Sequence, residues 1–286
     1  MKIPLSPPGF KSLFDHIVKT SPEKLGEIFS SGIKPDPKGK YYHWDKLRHL
    51  KLPSTMSNHE EWWLAVKVAR KALYKNIPHS DKDGNPFVFG EPDTVRRLLH
   101  EIDVHGGGEL KTTEQVANPN TRDTYLINSL IEESITSSQL EGAATTRKVA
   151  KEMLRQKRKP RDKSETMILN NYHAMEYIKE ISNESLTPEL IFELHRILSN
   201  NTMDDPGTVG KLRVSDDIYV GDDRDATIIH IPPKAKELQS RIESICDFAN
   251  TTHPTEFLHP VIRAIILHFL LAYDHPFEDG NGRITR

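Results

Sequence analysis

"HPFEDGNGRITR", His275 to Arg286, is the stretch from which the rest of the sequence is best read. Gly280 and Gly282 flank Asn281, and glycine permits backbone angles closed to other residues, so successive N–H groups can turn inward as a concave anion site. A helix starting at "GRITR" adds its positive end to that field, and phosphate is the natural guest. Arg283 and Arg286 lie three apart, on one face of such a helix, and both can reach one polyphosphate. Asp279 is a hard oxygen ligand placed to hold magnesium, which usually binds few carboxylates plus substrate phosphate. His275 follows an apolar run, where a neutral imidazole can take a proton from a hydroxyl. Phe277 reads as an apolar peg holding the loop to the core. Together these residues suit phosphoryl or nucleotidyl transfer.

"DGNG" alone is a common turn, so the flanking residues carry the inference. Competing motifs are missing: no GxxxxGK[ST], no third glycine of a dinucleotide fingerprint, no calcium-loop spacing, no H-E-x-x-H and no G-x-S-x-G.

Outward from the motif the pattern is mainly helical. "VIRAIILHFLLAY", Val261 to Tyr273, is interrupted by Arg263 and His268, is too short for a bilayer and reads as a buried helix. "KLRVSDDIYV" and "ATIIHIPP" flank the turn "GDDRD" as a β-hairpin, the one convincing β element. "TPELIFELHRILSN" opens a helix with Thr187 as N-cap and Pro188 in the first turn. From about Arg122, "RDTYLINSLIEESITSSQLEGA" sets Tyr125, Ile127, Leu130, Ile131 and Ile135 near one side and halts at Gly142. Near the N-terminus, Ser57 and Glu60 form a capping box ahead of a stripe through Trp63, Val66 and Ala69. "DKDGNPFVFG" reads as a turn, and "EPDTVRRLLHEIDVHGGG" as a short helix ended by glycines. Trp44, Trp62 and Trp63 read as packing residues.

Composition narrows the partners. With 286 residues, 28% charged residues and a formal net charge of −2, the chain can bury a core and has no global pull toward nucleic acid or anionic membrane. Its single cysteine, Cys246, excludes an intramolecular disulfide and suits a reducing compartment, so a cytoplasmic location with no membrane partner is expected. The basic run Arg147 to Lys163 lacks interleaved aromatic residues and reads as a solvated helix face leading to a Pro160 linker rather than a nucleic-acid surface.

The motif resembles, position by position, the signature H-x-F-x-[D/E]-G-N-G-R-x-x-R of Fic proteins, which mostly transfer AMP from ATP to hydroxyl side chains of proteins. The resemblance extends to "TPELIFELHRILSN", to "GTVGKLRVSDDIYV…IIHIPP" as the flap hairpin, and to "HPVIRAIILHFLLAYDHPF". It implies a mainly α fold: a Fic-type helical bundle with a small β-hairpin flap, and a helical N-terminal region. The expected organisation is residues 1–120 as that region, 121–165 as an inhibitory helix with a basic linker, and 166–286 as the catalytic core. Because Fic domains normally continue past the second arginine, the core is expected to go on beyond Arg286.

The resemblance also assigns roles. His275 would deprotonate a target Ser, Thr or Tyr, Asp279 would bind Mg2+, and Gly280, Asn281 and Gly282 would cradle the α- and β-phosphates of ATP. Arg283 would hold the β-phosphate and Arg286 the γ-phosphate. Flap residues Val214, Ser215, Asp216, Asp217, Ile218, Tyr219 and Val220 would pair with a target segment through the main chain. "SSQLEGA" is similar to the inhibitory motif [S/T]-x-x-x-E-[G/N]: Ser137 and Glu141 share a helix face, Gly142 ends the helix, and Glu141 would pair with Arg286 where the γ-phosphate belongs. In some relatives this glutamate supports removal of AMP, so the direction of reaction stays open, as does transfer of another phosphate-containing group. A homodimer fits the family. The competing expectation is a non-catalytic nucleotide-sensing or regulatory module, linked to DNA through a further C-terminal segment.

Overall fold

The computed structural model describes residues 3–106, 119–222, 227–251 and 257–285, leaving aside the side chains of 119–126 and 222. Arg286 and most of the "GDDRD" turn therefore lie outside the described residues. The chain divides into two units, Met1–Ser80 with Asn85–Leu110, and Asp81–Gly84 with Lys111–Arg286.

The first unit contains α1 (Phe10–Thr20), α2 (Glu23–Ser30), α3 (Trp44–Leu47), α4 (His59–Lys71), β1 (Lys75–Ser80), β2 (Pro86–Phe89) and α5 (Asp93–Gly106). Trp44, Trp62 and Trp63 are buried with Leu13, Ile17, Leu47 and Val66, as their reading as packing residues requires. The capping box sits one residue later than the sequence reading put it. Asn58 caps α4 by accepting from the Glu61 amide at 2.9 Å, and Glu61 reaches back to the Ser57 amide at 2.9 Å. Glu61 wins over Glu60 because Lys24, 2.7 Å away, pairs with it from α2. The second correction concerns "DKDGNPFVFG": its turn joins an antiparallel hairpin, with Lys75 opposite Phe89 and a register irregularity that accommodates Pro78.

The second unit contains α6 (Pro119–Leu140), α7 (Arg147–Gln156), α8 (Lys163–Glu180), α9 (Pro188–Ser199), β3 (Val220–Asp222), β4 (Thr227–His230), α10 (Leu238–Asn250), α11 (Pro260–Asp274) and α12 (Asn281–Thr285). Helix α6 packs on α8, α8 on α9, and α10 on α11. One core joins Ile131 and Ile135 of α6 to Ala150, Met153 and Leu154 of α7 and Ile168 of α8. Helices α10 and α11 bury Leu238, Ile242 and Ile245, and Ile262, Ile266 and Leu270, at the spacing of one helix face. The charged α7 is held by ion pairs: Arg147 and Lys151 both engage Glu132, and beyond the left-handed Lys157, Arg158 clasps buried Glu165 at 2.8 Å. Thr187 caps α9, accepting from the Leu190 amide at 3.3 Å, with Pro188 in the first turn.

The hairpin near residue 220 is shorter than its sequence suggests. Among the described residues, Val220–Asp222 pairs with Thr227–His230, and Lys211–Tyr219 is irregular. Two local contacts account for this. Ser215 Oγ engages the Asp217 carboxylate and amide in a tight turn, and Arg213 turns inward rather than alternating across a ladder. Among the described residues no helix is long and apolar enough to cross a membrane.

Candidate functional site

Helix α11 delivers the motif. Its last residue, Asp274, is fully buried, and its Oδ1 accepts from Arg241 Nε of α10 at 2.7 Å, which fixes the point where the helix ends. His275 then takes left-handed angles, φ 46° and ψ 58°, with its amide still bonded to the Leu271 carbonyl at 3.2 Å. A non-glycine residue held there stores backbone strain, a feature that gathers at functional sites. Burial first, then the positive charge of Arg213 and neighbouring His230, hold the His275 imidazole below the ordinary histidine range. It is therefore neutral near pH 7, as a proton acceptor must be.

The loop beyond His275 is held through its backbone carbonyls. The His275 carbonyl accepts from Arg213 Nε at 2.9 Å, and the Pro276 carbonyl from the Arg213 amide at 2.9 Å. Asn281 Nδ2 donates to the Phe277 carbonyl at 2.7 Å while Asn281 Oδ1 accepts from the Phe277 amide at 2.9 Å. His195 Nε2 donates to the Asp279 carbonyl at 3.0 Å. Phe277 is fully buried, stacked on the His195 ring at 3.8 Å and 2°, and is the apolar peg the sequence indicated.

His195 was not singled out from the sequence. It is fully buried on α9, and its Nδ1 accepts from the Gly210 amide at 2.9 Å. An accepting Nδ1 places the single proton on Nε2, the tautomer the Asp279 carbonyl needs. Burial holds its pKa below the ordinary value, with the Asp279 carbonyl pulling the other way. The usable signal was a histidine on the apolar face of "ELIFELHRIL". Arg213, also missed, is buried beneath the flap.

Gly280 needs its glycine: φ is +80°, and a Cβ there would meet Ser199 Oγ at 3.0 Å and His195 Nε2 at 3.1 Å. Its amide is bonded to Asp279 Oδ1 at 2.6 Å. The other Asp279 oxygen pairs with Arg283 Nη2 at 3.1 Å, and the Asp279 side chain remains 67% exposed. Arg283 is turned into the protein: Nη1 donates to Thr202 Oγ1 at 2.6 Å and the side chain is 7% exposed. Ser137 is buried on α6, and Gly142 ends that helix with φ +95°.

Glu141 comes to the same place. A methyl group on Gly282 would meet its two carboxylate oxygens at 2.5 and 2.6 Å. The structure thus brings together His275, Asp279, Gly280, Asn281, Gly282, Arg283 and Glu141. The expected Glu141–Arg286 pair lies outside the described residues. Flap residues Val214 to Tyr219 sit on the irregular segment before β3, with Val214 91% and Tyr219 57% exposed, and Val220 opens β3.

Residues 185–286 match the model of the Fic/DOC family. A protein adenylyltransferase Fic from Nematostella vectensis is 32% identical over 122 residues, covering 42% of this chain and 26% of that protein. The chain thus spans about a quarter of the length of this relative. Among solved structures, a Fic family protein from Desulfovibrio desulfuricans G20 has a TM-score of 0.53 at 22% identity, covering 69% of this chain and 56% of that one. A Fic-domain signaling protein from Bacteroides thetaiotaomicron VPI-5482 has the same TM-score of 0.53 at 23% identity, over 66% of this chain and 68% of the other. Both support the mainly helical fold with its small hairpin.

Proposed function

We propose that residues 185–286, which match the Fic/DOC family model, act as a Fic domain, and that the protein is an auto-inhibited AMP transferase that moves AMP from ATP to a Ser, Thr or Tyr hydroxyl of a target protein. The observation that carries the reading is the Glu141 carboxylate against Gly282, at the mouth of the phosphate nest and on the loop that bears His275.

The chemistry follows from the groups present. The neutral His275 imidazole takes the proton of the target hydroxyl as its oxygen attacks the α-phosphorus. The bond from the α-phosphorus to the bridging oxygen breaks, pyrophosphate leaves, and AMP remains esterified to the target. Carbonyls 277 and 279, which flank the nest, both point to protein donors, so neither opposes a phosphate there. Arg283 reaches the β-phosphate only by exchanging its Thr202 and Asp279 contacts. Asp279 fits a magnesium mount: an exposed, hard-oxygen side chain that supplies one carboxylate and leaves the remaining positions to phosphate oxygens and water. Magnesium would supply charge neutralisation on the leaving pyrophosphate. The exposed segment Val214 to Val220 would present the target.

The test is labelling with α-labelled ATP and magnesium. Label on the protein or a partner is expected to increase in Glu141→Gly and to vanish when His275→Ala is added. A Glu141→Gly protein that takes no label defeats the transferase reading in favour of a regulatory nucleotide-binding module.

A further inference from the structure

Arg213 combines deep burial with an unusual set of partners. Its side chain is 1% exposed, yet its nearest carboxylate is the exposed Asp216, 3.6 Å away. The guanidinium is instead solvated by three main-chain carbonyls: Nε donates to His275 at 2.9 Å, Nη1 to Ser215 at 2.8 Å and Nη2 to Pro233 at 2.5 Å. Ser215 lies on the stalk entering the hairpin, Pro233 on the stalk leaving it, and His275 carries the base. One rigid, planar fork therefore joins both ends of the flap to the residue whose imidazole accepts the proton. Removing a cation from water is costly, and apolar packing alone would be met more cheaply by a leucine or methionine. What those cannot supply is a three-way registration of separate backbone segments.

We propose that Arg213 is a positioning residue that sets the distance between the flap-bound target hydroxyl and His275. The proposal rests on the transferase reading for its kinetic consequence, and on the contacts alone for its structural one. It assigns Arg213 no role with ATP: the nest is held by His195 and Asn281, neither of which bonds to Arg213. A misplacement of about 1 Å between reacting groups lowers rates about 100-fold. Lysine keeps the charge but offers one nitrogen in place of a fork, so it cannot span the three carbonyls at once.

The test places R213K and D216N in the Glu141→Gly protein. For R213K the expected results are a roughly 100-fold lower kcat/KM for the protein target, a KM for ATP within about twofold of the parent, and faster amide exchange over 214–219 and around 231–234. Exposed Asp216 accepts from the Ala235 amide at 2.6 Å and lies 3.6 Å from the guanidinium; D216N keeps an oxygen acceptor but takes the charge out of both contacts, so it weakens the same stalk with little risk to the fold. D216N is expected to give the same split, reduced to about tenfold. Unchanged flap exchange in a folded R213K overturns the proposal, and so does a loss shared equally by ATP and target. If R213K does not fold, D216N decides alone, and parental exchange and kinetics there overturn it. Absence of label in the Glu141→Gly parent defeats the transferase reading, and flap exchange then judges Arg213 independently.

Discussion

Removing Glu141 should tighten nucleotide binding, and the geometry sets the scale. The carboxylate oxygens lie 2.5 and 2.6 Å from where a Gly282 methyl would be, so a phosphate entering beside Gly282 meets a like charge. Two unit charges about 4 Å apart repel by about 4 kcal/mol at an effective dielectric constant near 20. Glu141 is half-buried, and solvent screening roughly halves that figure, to about 2 kcal/mol. At about 1.4 kcal/mol per tenfold, the range corresponds to about 30-fold to about 1000-fold in Kd. Calorimetric titration with a non-hydrolysable ATP analogue and magnesium reads the difference directly. Glu141→Gln keeps the bulk and removes the charge, so it should recover an intermediate part of the gain, and added salt should narrow its distance from the parent. A Glu141→Gly protein that binds within twofold of the parent refutes the reasoning, because the carboxylate would then exclude nothing.

Phe277→Ala removes a fully buried ring and its stack on His195; about 3–5 kcal/mol of stability should be lost, seen as a lowered urea midpoint, and a loss under about 1 kcal/mol would count against the peg. Acidity should destabilise the same region. His195 and His275 titrate below the ordinary histidine value when folded, so the unfolded chain binds protons first as pH falls. Their contribution is complete above about pH 6.5, the unfolded value, and is lost as pH drops below it. Thermal melts between pH 7.5 and 5 should show this slope, and His195→Gln should flatten it; a slope unchanged in that variant would contradict the assignment.

The motif was legible because its working groups are contiguous and each residue type is close to irreplaceable: a base, a carboxylate, and glycines where a Cβ has no room. The Thr187 cap was legible for the same local reason, since an N-cap bonds within its own first turn. What escaped the sequence was held by distance. His195 and Arg213 bond to carbonyls 84 and 62 residues away, and a carbonyl has no letter in the sequence. The hairpin was overestimated because "RVSDDIYV" alternates well, while the contacts that break the ladder are a two-residue Ser215–Asp217 turn and an arginine drawn inward. The β1–β2 hairpin does not stand out in the sequence because Pro78 and four polar residues, Lys75, Asn76, His79 and Ser80, disguise the first strand, a penalty the register irregularity absorbs.

The bonds made by His195 and Asn281 bear on why the glycine loop can serve as an anion site at all. A peptide unit carries donor and acceptor on opposite sides, so drawing a carbonyl toward the protein turns the following N–H the other way. Asn281 and His195 draw in the carbonyls of Phe277 and Asp279. Asp279 meanwhile keeps the Gly280 amide on its own carboxylate at 2.6 Å. That amide becomes available to phosphate only if the carboxylate turns elsewhere, and a bound cation is the natural attraction for it. Coordination by Asp279 and exposure of the Gly280 N–H are then one rotation of one side chain. On that account Asp279→Ala would abolish the ion site and uncover the amide together, weakening magnesium-dependent binding of ATP while sparing metal-free binding of a simple phosphate anion. Equal loss of both in an isothermal titration would show that the two are not coupled in this way.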